Sequence, residues 1–250
     1  MFSRILTSRG NLLFVPLLVA LLAALFLCVP QPLRAEEPYV ILADEYPPWY
    51  HWHEGQISGP YADAVRATFA RMGIPIHIKH STWKRALFEL ERGGTVGMFA
   101  GIWTRRRAEF TMYTTVPLGE EEKWVVTLKD YPTEFKTLGD LRGHTVGVVQ
   151  AYSYGADFDS MEGVKRCRFI TEDLLIKKFL SGREKIILIS REVLENHVAQ
   201  SGGLERIKFH FMIQQLPHYM MFSRKHPNAS NLARDFSQAL RELRMEGLIK

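Results

Sequence analysis

Short apolar runs and segments of helical periodicity alternate along residues 39–102. Ile74, Ile76 and Ile78 recur at every second position, as expected for one face of a half-buried strand. The segment that precedes these isoleucines has apolar residues at helical spacing. It begins at Pro60 and ends at Gly73, as is typical of a helix. The pattern predicts, in order, strand Tyr39–Ala43, a helix from Pro60 to Gly73, strand 74–78, a helix from Ser81 or Thr82 to Gly93 and strand Val96–Ile102.

The same alternation returns in the second half of the chain. The pattern there predicts strand Thr145–Val149, helix Glu172–Leu180, strand Ile186–Ile189, a helix capped by Ser190 and a final helix with an apolar stripe from Leu232 to Leu243. Strands separated by helices imply βαβ units, because parallel strands need a long crossover connection. The expected fold class is therefore α/β with mainly parallel sheets.

The first 35 residues have the organisation of an export signal. They contain no Asp or Glu, a basic start precedes an apolar run from Leu12 to Val29, and the small residue Ala35 follows two prolines. This order predicts a signal peptide at residues 1–35, cleaved after about Ala35, and hence a periplasmic protein. The alternative is an uncleaved membrane anchor, since the apolar run is nearly long enough to span a bilayer. Lipid attachment at Cys28 is not expected, because bulky residues precede it.

Composition narrows the function classes once the signal is set aside. Residues 1–35 hold three arginines and no acidic residue, so their removal lowers the formal net charge from +5 to +2. No block of Lys and Arg with interleaved aromatic residues occurs, which argues against a nucleic-acid partner. Cys167 is the one cysteine in residues 36–250, so no intrachain disulfide can form there.

Aromatic and basic residues follow the predicted strands, at the edge where open parallel sheets bind ligands. Tyr46 stands nearest the end of the first strand, in an aromatic loop with two prolines, and is predicted to wall a ligand site. Trp83 begins a helix and is predicted either to face Tyr46 or to belong to a core stripe with Leu87. Arg85 would place a cation beside Trp83, where it could meet an anionic ligand.

A carboxylate site is predicted after the strand Val96–Ile102. Thr104 can cap the next helix and Arg107 projects one turn later on the same side, so a helix N-terminus and a guanidinium come together. Arg105 and Arg106 are predicted to be solvated, because successive helical residues diverge by about 100° and cannot all face one site.

A second candidate lies after the strand Thr145–Val149, where Tyr152 and Ser153 occur. The Ser153 hydroxyl suits an oxyanion, and an ordinary helix cap is an equal alternative. No Gly-x-Ser-x-Gly elbow and no nucleophile with a nearby base occurs, so no catalytic residue is predicted. His51 and His53 lack a complete set of metal ligands, so neither a metal nor a cofactor is expected.

Several short motifs occur in order along residues 36–250. They are Tyr46-Pro47-Pro48-Trp49, Gly59-Pro60-Tyr61-Ala62-Asp63, Thr104-x-x-Arg107, Tyr113-Thr114, Leu141-Arg142-Gly143-His144-Thr145-Val146-Gly147-Val148 and Gly182-Arg183. Each motif alone is weak, but together they cover nearly all of these residues. In this combination the chain resembles the extracellular solute-binding proteins of family 3, the polar amino-acid binders of ABC importers.

The resemblance implies the type II periplasmic-binding-protein fold, in which two α/β lobes are joined by two crossover hinge segments. Residues 36–120 and 216–250 would form the first lobe, and residues 121–215 the second. The lobes would close on a small-molecule ligand by hinge motion. Tyr46 and Trp83 would sandwich the ligand's side chain, and the monomeric protein would serve an ABC permease in the inner membrane.

The resemblance also assigns roles at the two ends of an amino acid. Arg107 would hold the α-carboxylate, assisted by Thr104 and by Ser153 from the opposite lobe. The family places Asp at the end of the strand after Gly-Arg to receive the α-ammonium, whereas this chain has Ser190 there. A hydroxyl does not neutralise a buried ammonium, so the expected ligand carries a carboxylate but need not be a standard α-amino acid.

Three alternatives stay open at this point. Glu45 or Glu120 could supply the acid that Ser190 lacks. An enzyme on the same fold, similar to the periplasmic cyclohexadienyl dehydratases, would need an acid or base beside the carboxylate site, for which Glu45, His51 or His53 qualify. A sensory or partner-regulating module is the third class. The leading prediction is a binding protein for import without enzymatic activity.

Overall fold

The computed structural model describes residues 37–199 and 202–249. The predicted signal peptide at residues 1–35, with its cleavage position, lies outside the described residues. The strands, in chain order, are β1 (Tyr39–Ala43), β2 (His51–His53), β3 (Gln56–Ser58), β4 (Ile76–His80), β5 (Gly97–Ile102), β6 (Thr111–Tyr113), β7 (Gly119–Leu128), β8 (Thr145–Val149), β9 (Lys165–Phe169), β10 (Ile186–Ser190) and β11 (Ile207–Ser223). The helices are α1 (Pro60–Arg71), α2 (Trp83–Arg92), α3 (Arg105–Ala108), α4 (Ala156–Asp159), α5 (Glu172–Leu180), α6 (Arg191–Ala199) and α7 (Ala229–Met245).

Local signals in the sequence explain where these helices begin and end. Pro60 opens α1, where its missing N–H is not needed. Gly73 follows the end of α1 with a φ of 70°, a conformation that glycine adopts without strain. The Thr171 hydroxyl caps α5 by accepting a hydrogen bond from the Leu174 N–H at 3.2 Å. The predicted bounds of β8 and α5 agree with the structure residue for residue.

Most of the described strands belong to one mixed sheet in the order β4-β1-β5-β11-β7-β10-β8-β9, with β6 paired to β11. Strand β1 runs parallel to β4 and β5, and β8 runs parallel to β9 and β10. The expectation of mainly parallel sheets is wrong, because β7 and β11 insert antiparallel pairs at the centre. These two long strands connect the two parallel groups.

Strand β11 is 17 residues long and serves both groups. Its residues 218–223 pair with β5 and β6, whereas its residues 207–218 pair with β7. Neither β7 nor β11 was predicted from the pattern of the sequence. Charged and polar residues such as Lys123 and Gln215 interrupt the apolar alternation, and Pro217 lies inside β11.

Each parallel group carries helices of its own, so the molecule has two α/β lobes. In the first lobe, Phe69 of α1 packs edge-on against Phe236 of α7, with ring centroids 5.4 Å apart. In the second lobe, Phe135, Phe158 and Leu188 belong to a separate buried cluster. The loops that follow β1, β5 and β8 meet where the two lobes face each other. No helix within the described ranges is both long and apolar enough to span a bilayer.

Candidate functional site

A small cavity lies between the two lobes, close to the crossing strands β7 and β11. Its volume is about 20 Å³, which is room for about one water molecule. The residues that line it are Asp44, Tyr46, Tyr50, Trp83, Ala100, Ile102, Arg107, Glu121, Tyr152, Ser153 and His218. Aromatic rings from both lobes and a few charged groups therefore converge on one point.

Arg107 is a buried cation at this point, with 7% of its surface exposed. The Thr104 hydroxyl accepts a hydrogen bond from the Arg107 N–H at 3.2 Å and so fixes the start of α3. The guanidinium donates to two main-chain carbonyls, from Nη1 to Ile102 O and from Nη2 to Ala151 O, both at 2.7 Å. No carboxylate of the described residues forms an ion pair with it. Burial lowers the pKa of Arg107, so an anion from outside would be strongly favoured here.

Three aromatic side chains surround the approach to Arg107. The Trp83 ring lies 5.2 Å from the Arg107 guanidinium carbon. Tyr152, from the second lobe, meets the Trp83 ring edge-on at 5.8 Å and the Tyr46 ring edge-on at 6.2 Å. Tyr46 and Trp83 were expected to sandwich a ligand, and in this structure both rings contact Tyr152.

The Tyr46 hydroxyl is held by a buried network of charged and polar side chains. The Lys123 ammonium lies 2.8 Å from Glu121 Oε1, and His218 Nε2 lies 3.0 Å from the same oxygen. The Tyr46 hydroxyl donates to Glu121 Oε2, and Lys123 Nζ donates to that hydroxyl at 3.1 Å. Burial alone would raise the pKa of Glu121, but Lys123 and His218 beside it lower the pKa to about 2. The carboxylate is therefore charged and already compensated.

A larger crevice of about 490 Å³ adjoins the cavity and shares Asp44, Trp83 and Tyr152 with it. Asp44 follows β1 in the first lobe, and Glu172 begins α5 in the second. Burial raises the pKa of Asp44 to about 7. Burial also raises the pKa of Glu172 to about 8, against the opposing effect of Lys123. Two partly buried carboxyl groups from opposite lobes therefore border this crevice.

The structure brings five of the eight predicted site residues together. Tyr46, Trp83, Arg107, Tyr152 and Ser153 line the same cavity. The Ser153 hydroxyl donates to Asp159 Oδ2 at 2.5 Å, so its proton is engaged within its own lobe.

The other three predicted residues lie outside the cavity. Thr104 acts through its cap on α3. Arg85 is exposed on α2, because it is two positions beyond Trp83 and points to another side of the helix. Ser190 is fully buried, pairs with Lys123 across the sheet and donates to Glu192 Oε2 at 2.7 Å.

Residues that the sequence did not indicate also border the cavity. Asp44, Tyr50, Glu121 and His218 belong to this set. Asp44 immediately precedes the aromatic loop that contains Tyr46. Its position directly after the first strand could therefore have indicated a site residue. Glu121 and His218 needed knowledge of the pairing between β7 and β11, which brings residues 97 positions apart into contact.

The glutamates proposed as compensating acids do not reach the cavity. Glu45 is exposed, and Glu120 accepts a hydrogen bond from Gln215 Nε2 at 2.6 Å on the surface. Of the histidines considered for acid–base chemistry, His51 contacts the Ser58 hydroxyl at 3.0 Å, and His53 is exposed. None of these side chains lines the cavity, and of them only Glu45 borders the adjoining crevice.

Comparison with known proteins gives matches of structure. No family model and no curated protein matches the chain. The arginine-binding protein of T. maritima in its holo form superposes with a TM-score of 0.70 at 20% identity, over 83% of this chain and 90% of that one. The arginine-, lysine-, histidine-binding protein ArtJ of Geobacillus stearothermophilus gives 0.69 at 17% identity, over 85% and 91%. The substrate-binding protein of an amino acid ABC transporter gives 0.69 at 16% identity, over 84% and 95%.

These matches confirm the predicted fold. The chain has the type II periplasmic-binding-protein fold, with two α/β lobes joined by two crossing segments. Its structural neighbours are amino-acid-binding proteins, in agreement with the resemblance to family 3. Identities of 16–20% establish the fold and leave the ligand to be argued from the site itself.

Proposed function

We propose that this protein is an exported solute-binding protein that captures a small carboxylate-bearing, amino-acid-like ligand between its lobes for import by an ABC transporter. The observation that carries the proposal is Arg107, a buried guanidinium at the lobe interface whose partners are main-chain carbonyls. A charge held in that setting is costly unless an anion compensates it. The names of the structural neighbours agree with this function.

The ligand's carboxylate would take the place of the Ala151 carbonyl on Arg107. Trp83 Nε1 also donates to that carbonyl, at 3.1 Å, so two donors of the first lobe would be available to the carboxylate. The body of the ligand would lie against Trp83 and extend into the adjoining crevice. Tyr46, held by Glu121 and Lys123, would form its inner wall.

The acid that a ligand ammonium would meet is Asp44 in this proposal. Ser190 is turned toward Glu192 and stays in the second lobe. Asp44 lines both the cavity and the crevice, and its Oδ1 accepts a hydrogen bond from the Tyr50 hydroxyl at 3.0 Å. Asp44 is preferred to the two glutamates, because Glu45 is exposed and borders only the crevice, and Glu120 lines neither space.

Closure of two lobes about the crossing strands would be the working motion. We propose residues 36–120 with 216–250 as the first lobe and residues 121–215 as the second. Glu121 and Leu216, at the two proposed boundaries, are direct partners across β7 and β11. Both boundaries therefore lie at one level of the paired strands, where a hinge could bend both together.

Import without catalysis is favoured over the enzymatic alternative. Of the residues considered for acid–base chemistry, His51 and His53 line neither the cavity nor the crevice, and Glu45 is exposed and borders only the crevice. Two acids line the cavity: Asp44, which is assigned to the ligand's ammonium, and Glu121, whose charge is already compensated by Lys123, with His218 Nε2 also 3.0 Å away. The proposal includes a periplasmic location, a monomeric protein and a permease of the inner membrane as partner.

A thermal-shift screen tests this function. Amino acids, aromatic and aliphatic carboxylates, dicarboxylates and amines would each be added to the protein without residues 1–35. A carboxylate at 100 times its Kd should stabilise the native state by about 2.7 kcal/mol and raise the Tm by roughly 5–10 °C. The amide of the same compound serves as the matched control and should give no shift. Stabilisation by amines alone, or by none of these compounds, would contradict the proposal.

A further inference from the structure

The main chain at residue 151 already occupies the position proposed for a ligand carboxylate. The Ala151 carbonyl belongs to the second lobe and accepts hydrogen bonds from two donors of the first. Arg107 Nη2 donates at 2.7 Å and Trp83 Nε1 donates at 3.1 Å. One oxygen thus satisfies a buried guanidinium and an indole N–H together.

The next side chain fills the aromatic position. Tyr152 lies edge-on to the Trp83 ring, at an interplanar angle of 78°, and to the Tyr46 ring, at 76°. The Lys123 ammonium lies 5.7 Å from the Tyr152 ring, close enough for a cation–π contact. With this ring in place only about 20 Å³ remains, so a ligand and Tyr152 cannot share the position.

The backbone of this segment is strained. Ala151 has a φ of 64°, a left-handed conformation that costs a residue with a Cβ roughly 1–2 kcal/mol. Hydrogen bonds from Gln150 N to Phe169 O and from Tyr152 N to Val149 O hold the segment to β9 and β8. The Ala151 side chain itself is exposed. Because the methyl group is not packed in the cleft, the left-handed conformation is held by these hydrogen bonds together with the contacts of the carbonyl and the ring.

We infer that Ala151 and Tyr152 form an internal occupant of the cleft, which the ligand displaces when it binds. The inference rests on the proposed function, since it concerns the same site. Apart from the Glu121 network at the crossing strands, the lobes contact each other here through a main-chain oxygen and a phenol ring. A ligand bound at Arg107 would replace both interactions.

The internal occupant also indicates the chemistry of the ligand. Two donors converge on one oxygen, and a carboxylate offers them two acceptor atoms and a full negative charge. The position of Tyr152 between two rings suits a flat aromatic group, since edge-to-face pairs are favourable in that geometry. The structure therefore assigns a small aromatic carboxylate, with or without an amino group, as the ligand class.

Substitutions of Ala151 test the inference because they change the backbone preference without touching a packed side chain. Ala151→Gly removes the cost of the left-handed φ and should strengthen the internal contact. Ala151→Val adds a β-branched residue that disfavours this φ and should weaken it. Ala156→Gly, at an exposed alanine of α4 outside the left-handed region, is the matched control.

Calorimetry with para-hydroxyphenylacetate, L-tyrosine and hexanoate gives the first readout. We expect the aromatic carboxylates to bind roughly fivefold more weakly to Ala151→Gly and roughly fivefold more tightly to Ala151→Val than to the wild type. Ala156→Gly should match the wild type. Equal affinities across the three proteins, or a shift in the same direction for both Ala151 variants, would overturn the internal occupant. Preferential binding of hexanoate would overturn the aromatic ligand class.

Small-angle X-ray scattering without added ligand gives a second readout that does not depend on the proposed function. Ala151→Val should increase the radius of gyration and Ala151→Gly should not, because only the former weakens the Ala151 contact between the lobes. An unchanged radius in Ala151→Val would overturn the inference even if carboxylates bind through Arg107. If no carboxylate binds but the radius responds as expected, the internal contact stands and the proposed function fails.

Discussion

Adjacent arginines have different environments, and the helical period explains why. Arg105 and Arg106 are exposed, whereas Arg107 is buried at the lobe interface. This division was expected from the sequence, since a cap at Thr104 fixes the direction of the residue three positions later. The partner of Arg107 could not be foreseen, because the Ala151 carbonyl comes from a residue 44 positions away.

Titration of two carboxyl groups gives a prediction at the residue scale. The pKa of Asp44 is raised to about 7 and that of Glu172 to about 8, each by burial. In the unfolded chain both titrate near pH 4. The native state therefore binds more protons than the unfolded state between about pH 4 and pH 8, and stability falls as the pH rises through this range. Between pH 5 and pH 8 the free energy of unfolding of the wild type should fall by on the order of 1–2 kcal/mol through these two groups. The double variant Asp44→Asn/Glu172→Gln should not show this decrease.

Urea unfolding of the wild type and the double variant at three pH values in this range measures the difference. Glu45→Gln, in the same loop as Asp44 but exposed, is the control and should follow the wild type. Glu121 does not enter, because its lowered pKa places its titration near pH 2. A double variant with the same pH dependence as the wild type would show that these carboxyl groups are charged in the native protein.

At the scale of elements, the sequence predicted strands and helices with a regular apolar period. β8, α5 and the start of α1 follow from local signals. The crossing strands did not, because β7 carries Glu121 and Lys123 on a face that is buried between the lobes. A charged pair in a strand is usually solvated, so only the tertiary pairing with β11 reveals that it belongs to a site.

Strand β5 offers a prediction at this scale. A Cβ added to Gly97 would lie 2.7 Å from the Met221 main-chain oxygen of β11, which cannot move as a flexible side chain could. Gly97→Ala should therefore lower the free energy of unfolding by about 1–3 kcal/mol. Gly139→Ala is the control, since its added Cβ would come no closer than 3.4 Å to a neighbour and its cost should be within about 0.5 kcal/mol. Chemical denaturation measures both, and an equal cost for the two would refute the close approach of β5 and β11.

At the scale of the whole molecule, the two-lobed fold could be predicted from ordered motifs, and the structural matches confirm it. The candidate site was accessible to sequence reasoning where a residue follows a predicted strand, as Tyr46, Trp83 and Arg107 do. It was not accessible where lobes or distant strands meet, as at the buried Glu121 network. Ser190 shows why strand position alone does not identify a site residue. It pairs with Lys123 across the sheet, but its hydroxyl donates a hydrogen bond to Glu192.

The measurement that most directly tests carboxylate capture is calorimetry on Arg107 variants with a carboxylate that stabilises the wild type. Arg107→Ala should weaken binding at least about 30-fold, because the anion loses its buried partner. Arg107→Lys keeps the charge and should retain part of the affinity, and Arg106→Ala, at an exposed neighbour, should bind as the wild type does. Circular dichroism establishes that each variant is folded. Wild-type affinity in a folded Arg107→Ala would contradict the account.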